Sequence, residues 1–235
     1  MTTTKWRNQL REVASASKAK QLSRFFKTGK GQYGEGDIFI GMTVPQNRAI
    51  SENYYYLTFV EIHELLTDPI HEFRLAALIA LVKKYKVSDE TTKQEIVKFY
   101  TTNYHHYNNW DLVDLSAPYI LGDYSLNYDK EHTLIKGMSD SGNLWGERVA
   151  IVSTLGLIRG GEFGQTLELC RKFINHKHDL IHKAMGWMLR EVGKRDIECL
   201  RNFLNEYTPQ LPRTTLRYAI ERMEKNEREL YMKRK

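Results

Sequence analysis

Cysteine, proline and long apolar runs are scarce in this chain of 235 residues. No stretch comes near the roughly 18 consecutive apolar residues that read as a membrane-spanning helix. The first residues, MTTTKWRNQLREV, are polar and charged and lack the apolar centre of a secretory signal. The two cysteines, Cys170 and Cys199, stand 29 residues apart with no CxxC and no ligand cluster nearby. They read as free thiols of a reducing compartment, the bacterial cytoplasm or nucleoid, with a disulfide or a metal site as the other possibility. Five prolines and almost no apolar–polar alternation exclude a β architecture and predict an all-α chain.

Charge and aromatics are plentiful. Lys and Arg number 35 against 29 Asp and Glu, a net +6. Such an excess suits a protein that meets phosphates, and equally an ordinary soluble protein. Fourteen tyrosines are too many for a disordered chain. The one segment that breaks helical periodicity is residues 29–45, GKGQYGEGDIFIGMTVP, which holds five of the 15 glycines before Met42. Within it, GQYGEGDIFIG has the wrong glycine spacing for a nucleotide-binding fingerprint, and no helix begins directly after Gly41.

Helices are predicted at about 5–27, 45–57, up to Leu66, 69–84, 89–103, 108–121, 128–138, 143–159, 163–175, 178–193, 195–206 and 212–232, with Asp68-Pro69 as the start signal of the fourth. Arg74, Asp111, Arg148, Lys183 and Arg217 then occupy equivalent places in every second helix, separated by 37, 37, 35 and 34 residues. That period marks an α-solenoid of HEAT-like repeats, about six helix pairs. Residues 1–235 are therefore read as one repeat domain with a Gly-rich, non-helical insert near 29–44. Four of the five equivalent positions are cationic, which fits either chance exposure or a basic groove for a nucleic-acid backbone.

Helical phase separates several residues from the core. In 178–193, Trp187 lies about 120° or more from the centre of the apolar stripe and shares its side with Lys183 and Arg190. It suits stacking on a base or sugar, or packing on a neighbouring repeat. Arg148 falls inside the apolar stripe of 143–159 and must find a carboxylate or line a cavity. Trp110 and Asp114 stand at i and i+4 on one helix face, with Asp114 on an apolar side beside Val113 and Ala117. A semi-buried carboxylate next to a tryptophan can stabilise a developing cation or orient a water. Asp111, 60° further round, can cap or solvate. His63-Glu64 and His71-Glu72 are not HExxH pairs and read as solvated helix faces. His105, His106, His176, His178 and His182 complete no metal set, and the charged stretch from Arg213 reads as a solvated capping helix.

Taken together and in order, YGEGDIFIGMTVPQNR (33–48), HEFRLAALIALVKKY (71–85), NNWDLVDLSAPYILGDY (108–124), LWGERVAIVST (144–154), IHKAMGWMLREVGKRD (181–196) and LPRTTLRYAIERM (211–223) resemble the DNA alkylation repair family of HEAT-repeat DNA glycosylases, the AlkD-like group. The resemblance covers nearly all of the chain. It implies a right-handed superhelix with a basic concave DNA groove. It implies hydrolytic excision of cationic N-alkylated purines, of the 3-methyladenine and 7-methylguanine type, without base flipping. It places the catalytic aspartate on Asp114, the family tryptophans on Trp110 and Trp187, and the DNA-contacting arginine beside the lesion on Arg148. An N-terminal aromatic used by some members maps loosely onto Phe25 or Phe26, neither of which has a hydroxyl. With Arg148, the cations Arg74, Lys183, Arg190 and Arg217 are the expected DNA contacts. No metal or organic cofactor, no membrane and no obligate protein partner is implied. The expected partner is double-stranded DNA carrying alkylated bases, bound by a monomer. Some relatives keep the fold without excising, so a non-catalytic repeat protein that recognises distorted or branched DNA is the alternative. A scaffold for an acidic protein partner is a third reading.

Overall fold

The computed structural model describes residues 2–234, and among them helices, turns and loops form, with one isolated parallel β-bridge between Ile38 and Ile70. The chain divides into two compact units, Met1–Ser116 and Ala117–Lys235. Stacked helical repeats account for this all-α organisation.

In the first unit, α1 (Thr2–Glu12) and α2 (Ala16–Phe25) precede the glycine-rich insert. The single helix expected over 5–27 is thus broken at 13–15, where Ser15 donates its backbone N–H to the Ile40 carbonyl of the insert at 2.9 Å. Beyond the insert come α3 (Val44–Ser51), α4 (Phe59–Leu66), α5 (His71–Val87), α6 (Glu90–Thr102) and α7 (Trp110–Ser116). Their starts follow the residue chemistry. Thr43 with Gln46, and Thr58 with Glu61, form reciprocal capping boxes at α3 and α4, and Pro45 sits in the first turn of α3. Asp89 caps α6 through the Thr92 N–H. Asp68 and Pro69 do not open α5 directly. The Asp68 carboxylate instead holds the turn before it, accepting the Ile70 N–H at 2.9 Å.

Helix α5 is the centre of this unit. Thirteen of its 17 residues are buried, so it has no solvated face to give it a helical stripe. Helices α3, α4, α6 and α7 pack around it. Helix α1 adds Trp6 and Leu10, with the Trp6 ring stacked on Tyr54 at 4.8 Å.

The second unit opens with a π-helix, Pro118–Gly122, and continues through α8 (Asp123–Asn127), α9 (Thr133–Ser139), α10 (Leu144–Arg159), α11 (Gly164–Lys172), α12 (Asp179–Gly193), α13 (Ile197–Tyr207), α14 (Arg213–Ala219) and α15 (Lys225–Lys233). The helix expected over 212–232 is interrupted at 220–224. Helix α10 plays the part of α5, with 13 of 16 residues buried. The second helices of successive pairs pack on one another, α10 on α12 and α12 on α14, as stacked repeats require. The π-helix lies tight on α10: a Cβ on Gly122 would meet the Ser153 carbonyl oxygen at 2.2 Å, and one on Gly156 would meet Gly122 itself. Glycine is needed at both places because backbone approaches backbone there.

Candidate active site

Helix α7 carries the first pair of predicted residues. Asn109, fully buried, accepts the Trp110 N–H on its side-chain oxygen at 2.9 Å and so starts the helix. Leu112, Val113 and Ser116 face the interior, while Trp110 and Asp114 are half-buried. Ser116 anchors the far end, donating to the Leu112 carbonyl and sharing a 2.8 Å hydrogen bond with the Tyr100 hydroxyl. Burial pushes the Tyr100 hydroxyl to a high pKa; the bond to Ser116 lowers it and the charge of Asp114 raises it further. The charge of half-buried Asp114 therefore acts on the inside of this unit.

The Trp110 indole is held from the other side by the N-terminal segment. It stacks on Phe26 at 5.3 Å and meets the edge of Phe25 at 5.9 Å. Its Nε1 donates to the Tyr33 hydroxyl at 3.3 Å. Both aromatics to which the loosely mapped family position pointed thus reach Trp110, and the hydroxyl against its indole is that of Tyr33 in the glycine-rich insert. The stack continues inward: Phe26 lies on Phe39 at 5.1 Å, and Phe39 lies on His71 at 4.6 Å.

His71 and Glu72 are buried, which corrects their reading as a solvated face. The Glu72 carboxylate accepts three successive backbone N–H groups of the insert, from Ile40, Gly41 and Met42, at 3.1, 2.8 and 3.2 Å. His71 uses both ring nitrogens, Nδ1 to Asp37 at 3.2 Å and Nε2 to Asp111 at 2.8 Å. Asp37 also receives Arg74 and Asn108, each at 2.7 Å. Burial works against a charged His71, yet the charge of Asp111 and the hydrogen bonds to Asp111 and Asp37 outweigh it and lift its pKa to about 9. Burial raises Asp37, but His71, Arg74 and Asn108 bring it below the ordinary carboxylate value. An imidazolium therefore ties the insert, through Asp37, to the first turn of α7, through Asp111. Asp111 neither caps nor merely solvates.

Arg74 belongs to this network. It is 5% exposed, bonded to Asp37 and to the Asp68 carbonyl oxygen at 2.7 Å. Where the sequence reading has a groove cation, the structure shows a guanidinium that neutralises a buried carboxylate of its own unit.

The other predicted residues lie in the second unit. Arg148 is 4% exposed and donates to the Leu180 carbonyl at the start of α12, so it holds α10 to α12. Lys183 pairs with Asp179 one turn earlier, at 2.8 Å. Asp179 also accepts the Thr214 hydroxyl from α14 at 3.0 Å. Half-buried Trp187 donates from Nε1 to Glu191 at 3.2 Å. Arg190 pairs with Glu221, and Arg217 is exposed. Trp187, Lys183 and Arg190 share helix α12 as expected, but acids of the same unit engage both cations.

Sequence reasoning overlooked Asp37, Asn108 and Tyr33, and took His71 and Glu72 for a solvated face. A signal was present: an acid and a tyrosine within a glycine-rich segment, and a His-Glu pair opening a helix with no polar face.

A model of the family described as "DNA alkylation repair enzyme" matches residues 6–223. Among solved structures, one titled "Predicted DNA alkylation repair enzyme from Enterococcus faecalis" superposes with a TM-score of 0.71 at 16% identity, covering 90% of this chain and 97% of that one. At that identity the likeness is one of fold. The comparison with curated proteins finds no match.

Proposed function

Because the chain belongs to the DNA alkylation repair enzyme family, which acts on alkylated DNA, we propose that it is a monofunctional glycosylase hydrolysing the N-glycosidic bond of cationic N-alkylated purines. The observation that carries this reading is the pairing on α7 of a half-buried carboxylate, Asp114, with an indole one turn away that Phe25, Phe26 and Tyr33 hold in place.

An alkylated purine such as 3-methyladenine or 7-methylguanine already carries a positive charge, so it departs without being protonated. The C1′–N bond breaks as the sugar takes on oxocarbenium character. The Asp114 carboxylate stabilises that charge and accepts a proton from the attacking water, as carboxylates do in glycoside hydrolysis. Trp110 offers a π-face to the cationic nucleotide. The base need not swing into a pocket, since a leaving group that is already cationic departs without a proton from the protein. Trp187 is proposed to press on deoxyribose and backbone, and Arg148, Lys183, Arg190 and Arg217 to serve as DNA contacts. For Lys183 and Arg190 this means exchanging Asp179 and Glu221 for phosphate. No lysine nucleophile is invoked, so the product is an abasic site without strand cleavage.

Release of 3-methyladenine and 7-methylguanine from alkylated duplex DNA tests the proposal. Asp114→Asn should lower single-turnover release by about 10²-fold or more, the usual cost of removing one electrostatic stabiliser, while duplex binding persists. Undiminished release by this variant would remove Asp114 from the mechanism. Binding without release by the wild type would establish the non-catalytic alternative.

A further inference from the structure

Of the four repeat-position cations only Arg217 is exposed, and a denser run of exposed positive charge lies elsewhere. Residues 16–30, ASKAKQLSRFFKTGK, contain Lys18, Lys20, Arg24, Lys27 and Lys30 and no acid, so this short stretch holds five of the chain's six net positive charges. All five side chains are exposed, and none is ion-paired among the described residues. Arg74, Arg148, Lys183 and Arg190, by contrast, are engaged by protein groups. Helical phase in α2 puts Lys20 and Arg24 on one turn-to-turn row and Lys18 and Phe25 on the next, about 100–160° across. The opposite side, with Ala19, Leu22, Ser23 and Phe26, turns toward the body of the unit. There the Ala19 nitrogen and the Ser15 carbonyl fill the space that a Cβ on Gly41 would need.

The row of cations ends at the candidate site. Phe25, 63% exposed, touches the edge of the Trp110 ring. Lys27 follows in the left-handed backbone region, φ +53°, where glycine is favoured, and its ammonium sits 6.0 Å from the centre of the Tyr33 ring. Thr28 closes the helix end with its N–H on the Ser23 carbonyl. A cation thus occupies a position that the backbone would give to glycine.

We propose that α2 and the start of the glycine-rich insert form a phosphate-backbone track, Lys18, Lys20, Arg24, Lys27 and Lys30, that delivers DNA to Trp110, with Phe25 stacking on a nucleotide at its end. The inference rests on the glycosylase reading for its ligand. An anionic membrane is the poorer occupant: an interfacial helix buries an apolar face, and α2 exposes a single large apolar ring. An acidic protein would not need an aromatic ring set edge-on to Trp110, whereas a nucleotide offers both phosphate and π-face.

Binding of the full chain to an undamaged duplex, followed over a salt series, tests the track without requiring excision. Each cation that displaces a counterion contributes about 0.9 to the slope of log Kd against log salt. The combined variant Lys20→Ala, Arg24→Ala and Lys27→Gly should lower that slope by nearly three units and weaken binding by several hundred-fold at 0.1 M salt. Lys27→Gly alone should lower it by about one unit with unchanged or higher Tm, since glycine relaxes the backbone there. Phe25→Ala should weaken binding to single-stranded or alkylated DNA with no change in slope. A folded triple variant with the wild-type slope overturns the proposal, as does an effect confined to phosphatidylserine vesicles or to polyglutamate. The two readings fail separately. A wild type that releases no base but loses its salt slope in the variants keeps the track and loses the glycosylase; release with unchanged slopes does the reverse.

Discussion

His71 shows how much a single side chain can hold in place. It lies between Asp37 of the insert and Asp111 of α7, with Arg74 beside Asp37 and the Phe26 and Phe39 rings against its faces. Its pKa is raised to about 9 from an ordinary 6.5, so the folded state binds its proton more tightly than the unfolded chain does. The resulting stabilisation is fully present below about pH 6.5 and is lost as pH climbs through about 9. The gap corresponds to roughly 3 kcal/mol. Thermal stability should therefore decline between about pH 7 and 9.5. His71→Gln should be less stable at neutral pH and show a flatter profile over that range. A wild-type Tm that stays constant from pH 7 to 9.5 would contradict a charged, bridging His71. Asp114 and Trp110 were legible in the sequence, because an acid and an indole on one helix face break the apolar pattern. The Asp37–Arg74 pair was not. Its partners are 37 residues apart, one of them in a loop without periodicity, and Arg74 occupied a position whose repeat spacing suggested a solvent-facing role.

At the scale of elements, the glycine-rich insert changes most in meaning. Its sequence says that no helix can form there, and none does. Nothing in that statement says where the segment docks. The docking comes from Glu72, whose buried carboxylate takes three backbone N–H groups, and from Gly41, whose φ of +85° and contact with the Ser15 carbonyl exclude any side chain. Helix α5 hid this role because nearly all of it is buried, leaving no polar face against which His71 and Glu72 would stand out. Replacing Glu72 with Gln leaves one acceptor oxygen and turns an amide N–H₂ toward donors. The loss should be on the order of 3 kcal/mol for charge-assisted bonds of this kind, lowering Tm by about 6–12 °C. Limited proteolysis should then cut within 29–36 before the rest of the chain. Global unfolding with no early cut there would mean that the insert does not depend on this clamp. Helix ends followed the residue chemistry where caps were explicit, as at Thr43, Thr58 and Asp89. They departed from expectation at 220–224 and at 13–15, where Ser15 turns its N–H to the Ile40 carbonyl of the insert.

Across the molecule, burial and charge are distributed in opposite senses. Each compact unit has one helix packed on nearly every side, α5 in the first and α10 in the second. The peripheral helices are thinly buried: α2 has no buried residue and α15 only Tyr231. The net charge of +6 is concentrated on α2 and the residues just after it, so the segment with the strongest pull on a polyanion is also among the least anchored. Local opening free energy follows buried apolar contact. In the free protein, backbone amides of α5 and α10 should therefore exchange with solvent only through global unfolding. Those of α2 should exchange faster by several orders of magnitude, through local opening. If phosphates dock on α2, an undamaged duplex at low salt should slow its exchange selectively, with little change in α15, whose cations Lys225, Arg228 and Lys233 are interspersed with Glu227 and Glu229. The protection should fade as salt is raised, in step with the binding slope. Exchange in free α2 as slow as in α5 would show that the helix is anchored by contacts other than those described. Equal protection of α2 and α15 by DNA would mean that the duplex reads overall charge and not this track.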